Sequence, residues 1–204
     1  MINFIFSIVI LIFSVVAHEV SHGYAAYAQG DNTAKYAGRL TLNPLKHLEW
    51  FGSFILPVMS YLLGGFLIGW AKPVPYNPYN LRNQRWGEAL VAIAGPATNV
   101  IIAVFFGVIL RFGSMSGTLS DSLAYILSTI VLINLVLATF NLVPIPPLDG
   151  SKILFSLFPN GLYQIRRALE QYGFIILLFF IFFLWSFMSP IVTAEFHLIT
   201  GLTF

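Results

Sequence analysis

Cysteine is absent from this 204-residue chain, which rules out a disulfide framework and any thiolate metal site. A transition metal held by its side chains must therefore sit on imidazole and carboxylate. Only four histidines and eight acidic residues are on hand for that purpose. Charge is scarce too. Asp, Glu, Lys and Arg make up 9% of the residues, against about 25% in an ordinary soluble domain. The formal net charge of +2 is too small to suggest a nucleic-acid partner. No stretch is long and polar enough for a separate soluble domain, and no internal repeat or low-complexity segment interrupts the chain.

What fills the chain is apolar. Hydrophobic residues are 58% of it and the mean hydropathy is +0.84. These values predict an α-helical integral membrane protein whose partner is the lipid bilayer. Residues 1–204 read as one membrane-embedded domain. Core spans are expected at about 2–28, 88–112 and 121–143, with an additional span at about 172–189, each near the ~20 residues needed to cross the hydrocarbon. Segment 51–70 is also long enough, but Pro57 and the Gly64-Gly65 pair interrupt it. Arg39-Leu40-Thr41-Leu42 alternates like a short strand and stops at Asn43-Pro44. Residues 71–87 are proline-rich and read as an extended interfacial segment. Phe158 to Gln171, with Arg166 and Arg167 among apolar residues, suits a helix lying at the membrane surface. Ala26-Tyr27-Ala28 resembles a signal-peptide cleavage site, but no positive charge precedes the apolar run, and such a peptide has no use for ionisable groups there.

Those ionisable groups are His18-Glu19-Val20-Ser21-His22, near the end of the first span. Histidines four apart on a helix share one face, with Cβ atoms roughly 5–6 Å apart, a separation two imidazoles can bridge onto one zinc ion. Glu19 adjoins the first of them and can act on water at the same metal. A catalytic zinc usually takes three protein ligands plus water. Asp149 is the best third candidate, because Pro144, Pro146 and Pro147 break the helix just before it. His47 is its serious rival.

For His18, His22 and Asp149 to meet, an even number of crossings must separate the first span from Asp149. Three apolar segments lie between them, so one must enter and leave on the same side. Segment 51–70 is the expected re-entrant element, with 39–42 and 71–75 then able to lie side by side as short membrane-associated β-strands. The basic residues give an independent argument. With 51–70 re-entrant, nine of the ten Lys and Arg fall on one face and only Arg111 on the other. The positive-inside rule prefers that arrangement. It places the N-terminus outside and the metal site near the cytoplasmic face of the cell membrane.

HEVSH in an apolar helix, AGPATN at 94–99 and NLVPIPPLDG at 141–150 together resemble the site-2 protease family of intramembrane zinc metalloproteases. The resemblance covers most of residues 1–155 and implies a short form without PDZ or cystathionine-β-synthase domains. It also implies one zinc ion on His18, His22 and Asp149, Glu19 as the catalytic acid–base, and Asn141 near the reaction centre, where its amide could help hold the oxyanion. The implied substrates are membrane-bound regulators or remnant signal peptides, cut in or near a transmembrane segment.

Two further residues are candidates for substrate-binding or regulatory roles. Asn99, with Gly95-Pro96, reads first as a helix-packing position and second as a contact for an extended substrate backbone. His47 reads as an interfacial histidine or as a removable zinc ligand that restrains activity. The alternative function is a zinc-binding membrane protein without proteolysis, such as a transporter, sensor or inactive adaptor. An intact Glu19 weighs against an inactive relative.

Overall fold

The computed structural model describes residues 2–64, 72–158 and 163–203. Among these residues every regular element is helical. Three helices are long and apolar enough to cross a membrane, over Phe4–Ala28, Gly87–Met115 and Asp121–Asn141. They belong to α1 (Ile2–Ala28), α4 (Gly87–Met115) and α5 (Asp121–Asn141). Between α1 and α4 lie α2 (Thr33–Tyr36), a π-turn at Phe51–Ile55 and α3 (Leu56–Gly64). After α5 come α6 (Asp149–Leu157) and α7 (Tyr163–Thr200).

The helix ends follow local chemistry. Ser120 caps α5 by accepting the Leu123 N–H, and Asp121 in the first turn complements the helix dipole. The same helix stops at Asn141, three residues before Pro144. Asp149 opens α6 just beyond the proline cluster, where a carboxylate is favourable in the first turn. The third ligand candidate is thus the start of a helix rather than part of an irregular loop.

Helix α4 is the hub. It packs against α1 on one side and α5 on another, and touches α6 and α7 as well. A buried cluster of Ala103 and Leu110 from α4, Leu127, Val131 and Leu135 from α5, and Val192 and Phe196 from α7 ties three helices together. Large side chains on the outer faces, among them Phe13, Ile101, Phe105 and Phe112, are exposed. In a bilayer they meet acyl chains.

Two expectations need correction. Neither 39–42 nor 72–75 forms a strand; residue 71 lies outside the described residues. The reason is donor supply: Pro73, Pro75 and Pro78 have no N–H, so residues 72–77 cannot sustain a ladder. Instead Lys72 N–H donates to the His47 carbonyl at 2.8 Å, Val74 N–H to Glu19 Oε2 at 2.8 Å, and Asn77 N–H to Asp31 Oδ2 at 2.7 Å. The second correction concerns the C-terminal region. The surface helix expected over Phe158 to Gln171 is not separate: from Tyr163 onward its residues and those of the span expected over 172–189 lie in one helix that passes Pro190 and runs to Thr200. It ends where Gly201 takes φ 73°, a conformation that favours glycine. Residues 159–162 of the expected surface helix lie outside the described residues, as do 65–70 of segment 51–70.

Asp31, which reads from sequence as a loop acid, is fully buried. It accepts from the Thr33 hydroxyl at 2.6 Å, the Thr33 N–H at 3.2 Å, the Asn80 amide at 2.9 Å and the Asn77 N–H. Burial pushes its pKa up, but the donors from Thr33, Asn80 and Asn77 outweigh burial and hold it below the usual carboxylate value. The ionised carboxylate therefore ties the end of α1 to residues 72–80.

Candidate metal centre

His18 and His22 lie one turn apart on α1, their rings edge to face with centroids 4.7 Å apart. Both Nε2 atoms face the same oxygen, Asp149 Oδ2, each at 3.1 Å. One ligand atom from each of the three residues falls within 4.8 Å of the others, and all three residues are buried. Close approach of α4 shapes this pocket. A Cβ on Gly95 would stand 2.6 Å from ring atoms of both His18 and His22, so the Gly95-Pro96 stretch admits the imidazoles where any larger residue would displace them.

The proton positions follow from the surrounding hydrogen bonds. His22 Nδ1 is 2.7 Å from the Val91 carbonyl oxygen, which can only accept, so Nδ1 carries the proton. For His18 the reasoning runs through two asparagines. Asn134 Nδ2 donates to the Ile130 carbonyl at 2.8 Å and to Ser14 Oγ at 2.9 Å. Its Oδ1 therefore faces Asn99 Nδ2, at 2.8 Å. Asn99 Oδ1 in turn faces His18 Nδ1, at 2.6 Å, and His18 Nδ1 must be the donor. Both Nε2 lone pairs then point at a carboxylate oxygen. Three electron-pair donors converging at 3.1 Å repel one another unless a cation sits among them. Two imidazole nitrogens and a carboxylate oxygen form a donor set that a catalytic zinc takes, and Asn99 and Val91 supply the orienting hydrogen bonds that zinc histidines need.

Lys152, one turn into α6, places Nζ 3.6 Å from Asp149 Oδ1, the oxygen turned away from the histidines. It also lies over the Tyr76 ring, 5.4 Å from its centroid. Partial burial works against the Lys152 ammonium, but Tyr76, Asp149 and Glu19 outweigh it and hold the pKa above its ordinary value. The charged lysine engages Oδ1 and leaves Oδ2 as the Asp149 atom that faces both histidines.

The remaining sequence candidates are placed as follows. Glu19 is half-buried on α1 and accepts the Val74 N–H. Asn99 is fully buried, with both amide atoms engaged by His18, Asn134 and the Ser14 carbonyl. Asn141 stands on the last turn of α5, donating to the Leu137 carbonyl at 2.9 Å. His47 is fully buried, and its Nε2 is 2.8 Å from the Thr41 carbonyl. It is not part of the His18–His22–Asp149 cluster. Sequence reasoning missed Ser14, Asn134 and Lys152. Asn134 did carry a signal, since a polar amide inside an apolar span usually has a partner on another helix.

Comparison with known proteins agrees with this geometry. The description "Peptidase family M50" matches residues 6–117 and 114–184. "Putative zinc metalloprotease YwhC" of Bacillus subtilis is 43% identical over 176 residues, covering 84% of this chain and 77% of that protein. "Putative zinc metalloprotease Rip2" of Mycolicibacterium smegmatis is 35% identical over 167 residues, 80% of this chain and 61% of that protein. "Putative zinc metalloprotease MJ0611" of Methanocaldococcus jannaschii is 35% identical over 161 residues, 73% of this chain and 72% of that protein. No solved structure matches the chain. A family match over most of the chain, joined to a zinc donor set built by its apolar helices, settles the class: the chain belongs to peptidase family M50, the site-2 protease family of intramembrane zinc metalloproteases.

Proposed function

We propose that the chain hydrolyses peptide bonds within or near the transmembrane segments of membrane-protein substrates, either membrane-bound regulators or signal-peptide remnants. The observation that carries this reading is the convergence of His18, His22 and Asp149 inside a helical apolar chain, with Glu19 beside the first histidine. Zinc, when bound there, supplies Lewis-acid activation of water and of the scissile carbonyl. His18, His22 and Asp149 hold it, and Asn99 and Val91 keep the imidazole protons on Nδ1. Glu19 takes a proton from the attacking water and delivers it to the leaving amine, as general base and then general acid. Asn141 assists the developing oxyanion from the end of α5.

A regular helix hides its carbonyls, so the substrate must unwind before it reaches Glu19. Cleavage products of a single-span substrate, mapped by mass spectrometry, are expected to end inside or at the cytoplasmic edge of its span. Cuts confined to a soluble domain distant from the span contradict the proposal.

The proposed topology has α1, α4 and α5 as core spans, a fourth span within α7, the N-terminus outside and segment 51–70 entering and leaving on the cytoplasmic side. The Lys72 N–H bond to the His47 carbonyl supports the last point, since it brings the two ends of that excursion together. The nine-to-one division of basic residues supports the orientation. The chain's lack of cysteine makes the test simple. Single cysteines at 46 and 80 are expected to label from the cytoplasmic face alone, and opposite faces for the two would refute the excursion.

A further inference from the structure

Residues 72–77 read Lys-Pro-Val-Pro-Tyr-Asn, and they form a strap across α1 beside the metal centre. Pro73 and Pro75 fix their own φ angles and keep Lys72 and Val74 out of the helical region. They also remove their own N–H groups. Val74 therefore carries the one backbone donor between residues 73 and 75, on a segment that is extended without internal hydrogen bonds. That donor goes to Glu19 Oε2 at 2.8 Å.

The strap is fastened on both sides of this contact. Upstream, Lys72 N–H donates to the His47 carbonyl at 2.8 Å, and downstream, Asn77 N–H donates to Asp31 Oδ2 at 2.7 Å. It is also pressed onto α1. Val74 is 5% exposed, and a Cβ on Gly23 would stand 2.8 Å from Val74 Cγ1 and 2.7 Å from Leu40 Cδ2. Gly23 is four residues beyond Glu19, so the two share a helix face. The missing side chain at 23 lets the strap approach the face from which Glu19 projects.

We propose that the Val74 N–H is a positioning group for the Glu19 carboxylate. A glutamate has three side-chain torsions, and an unrestrained one spends little time in the orientation that proton transfer needs. Anchoring Oε2 to a backbone amide fixes the side chain and leaves Oε1 for the water and the leaving amine. The sequence signature is the alternation of proline with a single residue that retains its N–H. This inference rests on Glu19 being the general base.

The test replaces the Val74 amide with an ester by incorporating the α-hydroxy analogue of valine. That change deletes the N–H and keeps the side chain, while Val74→Pro is the simpler genetic version. Cleavage of a single-span substrate and zinc content are measured for both and for wild type. The expected result for each is kcat lower by roughly ten- to a hundredfold, the range for losing one hydrogen bond to a charged group, with KM unchanged and one zinc per chain. An ester variant with wild-type kcat overturns the proposal. So does an ester variant that loses zinc together with activity, because the bond is then structural. If Val74→Pro fails to fold, the ester variant decides. An inactive wild type would contradict the proteolytic reading itself, a different outcome from an active wild type that tolerates the ester.

Discussion

Asp149→Ala is expected to bind zinc far more weakly than wild type while its helices stay folded. The substitution removes one of three converging ligand atoms, and with it the carboxylate oxygen that stands 3.1 Å from both Nε2 atoms. The two histidines remain on one turn of α1, but a pair of imidazoles without the carboxylate cannot complete the set a catalytic zinc uses. Asn99→Ala provides the graded comparison. It leaves all three ligands in place and removes the acceptor that holds the His18 Nδ1 proton, 2.6 Å away. Losing an orienting partner of this kind costs roughly ten- to a hundredfold in metal affinity, and losing a ligand is expected to cost more. Competition with a chelator of known affinity reads both losses in detergent, without reference to activity. Asp149→Ala retaining one zinc at wild-type affinity would remove Asp149 from the ligand set, and Asn99→Ala with unchanged affinity would show that the amide pair only packs helices.

The order of these effects explains which parts of the site could be read from sequence. The His18–His22 pair was legible because helical spacing turns its separation into a geometry. Asp149 was legible because broken helix in an apolar chain needs a reason, and because crossing parity demands a return to the same side. The Ser14–Asn99–Asn134 network was not. Its members lie on three different helices, and only the packing angle of α1, α4 and α5 reveals that their amides and hydroxyl meet. The burial of Asp31 was not legible for a related reason: its partners Asn77 and Asn80 are more than forty residues away, and a loop acid gives no sign that a distant loop will bury it.

The fold shows the same division. Spans α1, α4 and α5 follow from continuous apolar runs, and their observed ends differ from the expected ones by at most three residues. The strand expectation rested on side-chain alternation at 39–42 and on the return of 71–75 to its side, and it overlooked the donors that proline removes. The C-terminal expectation read Arg166 and Arg167 as signs of a surface helix separate from the span that follows. In the structure Arg166 instead pairs along the helix with Glu170 at 2.8 Å, and Pro190 is accommodated within α7.

The central claim is that hydrolysis at this metal centre runs through the Glu19 carboxylate. Glu19→Gln tests it most directly, because the amide preserves side-chain length, leaves the three ligands untouched and can still accept the Val74 N–H through its oxygen. What it cannot do is take up and return a proton. Loss of a positioned acid–base group costs about 10²–10⁴-fold in rate, so a purified variant with one zinc per chain is expected to show essentially no cleavage of a single-span substrate that wild type cuts. Equal cleavage by wild type and Glu19→Gln at matched zinc content would contradict the mechanism.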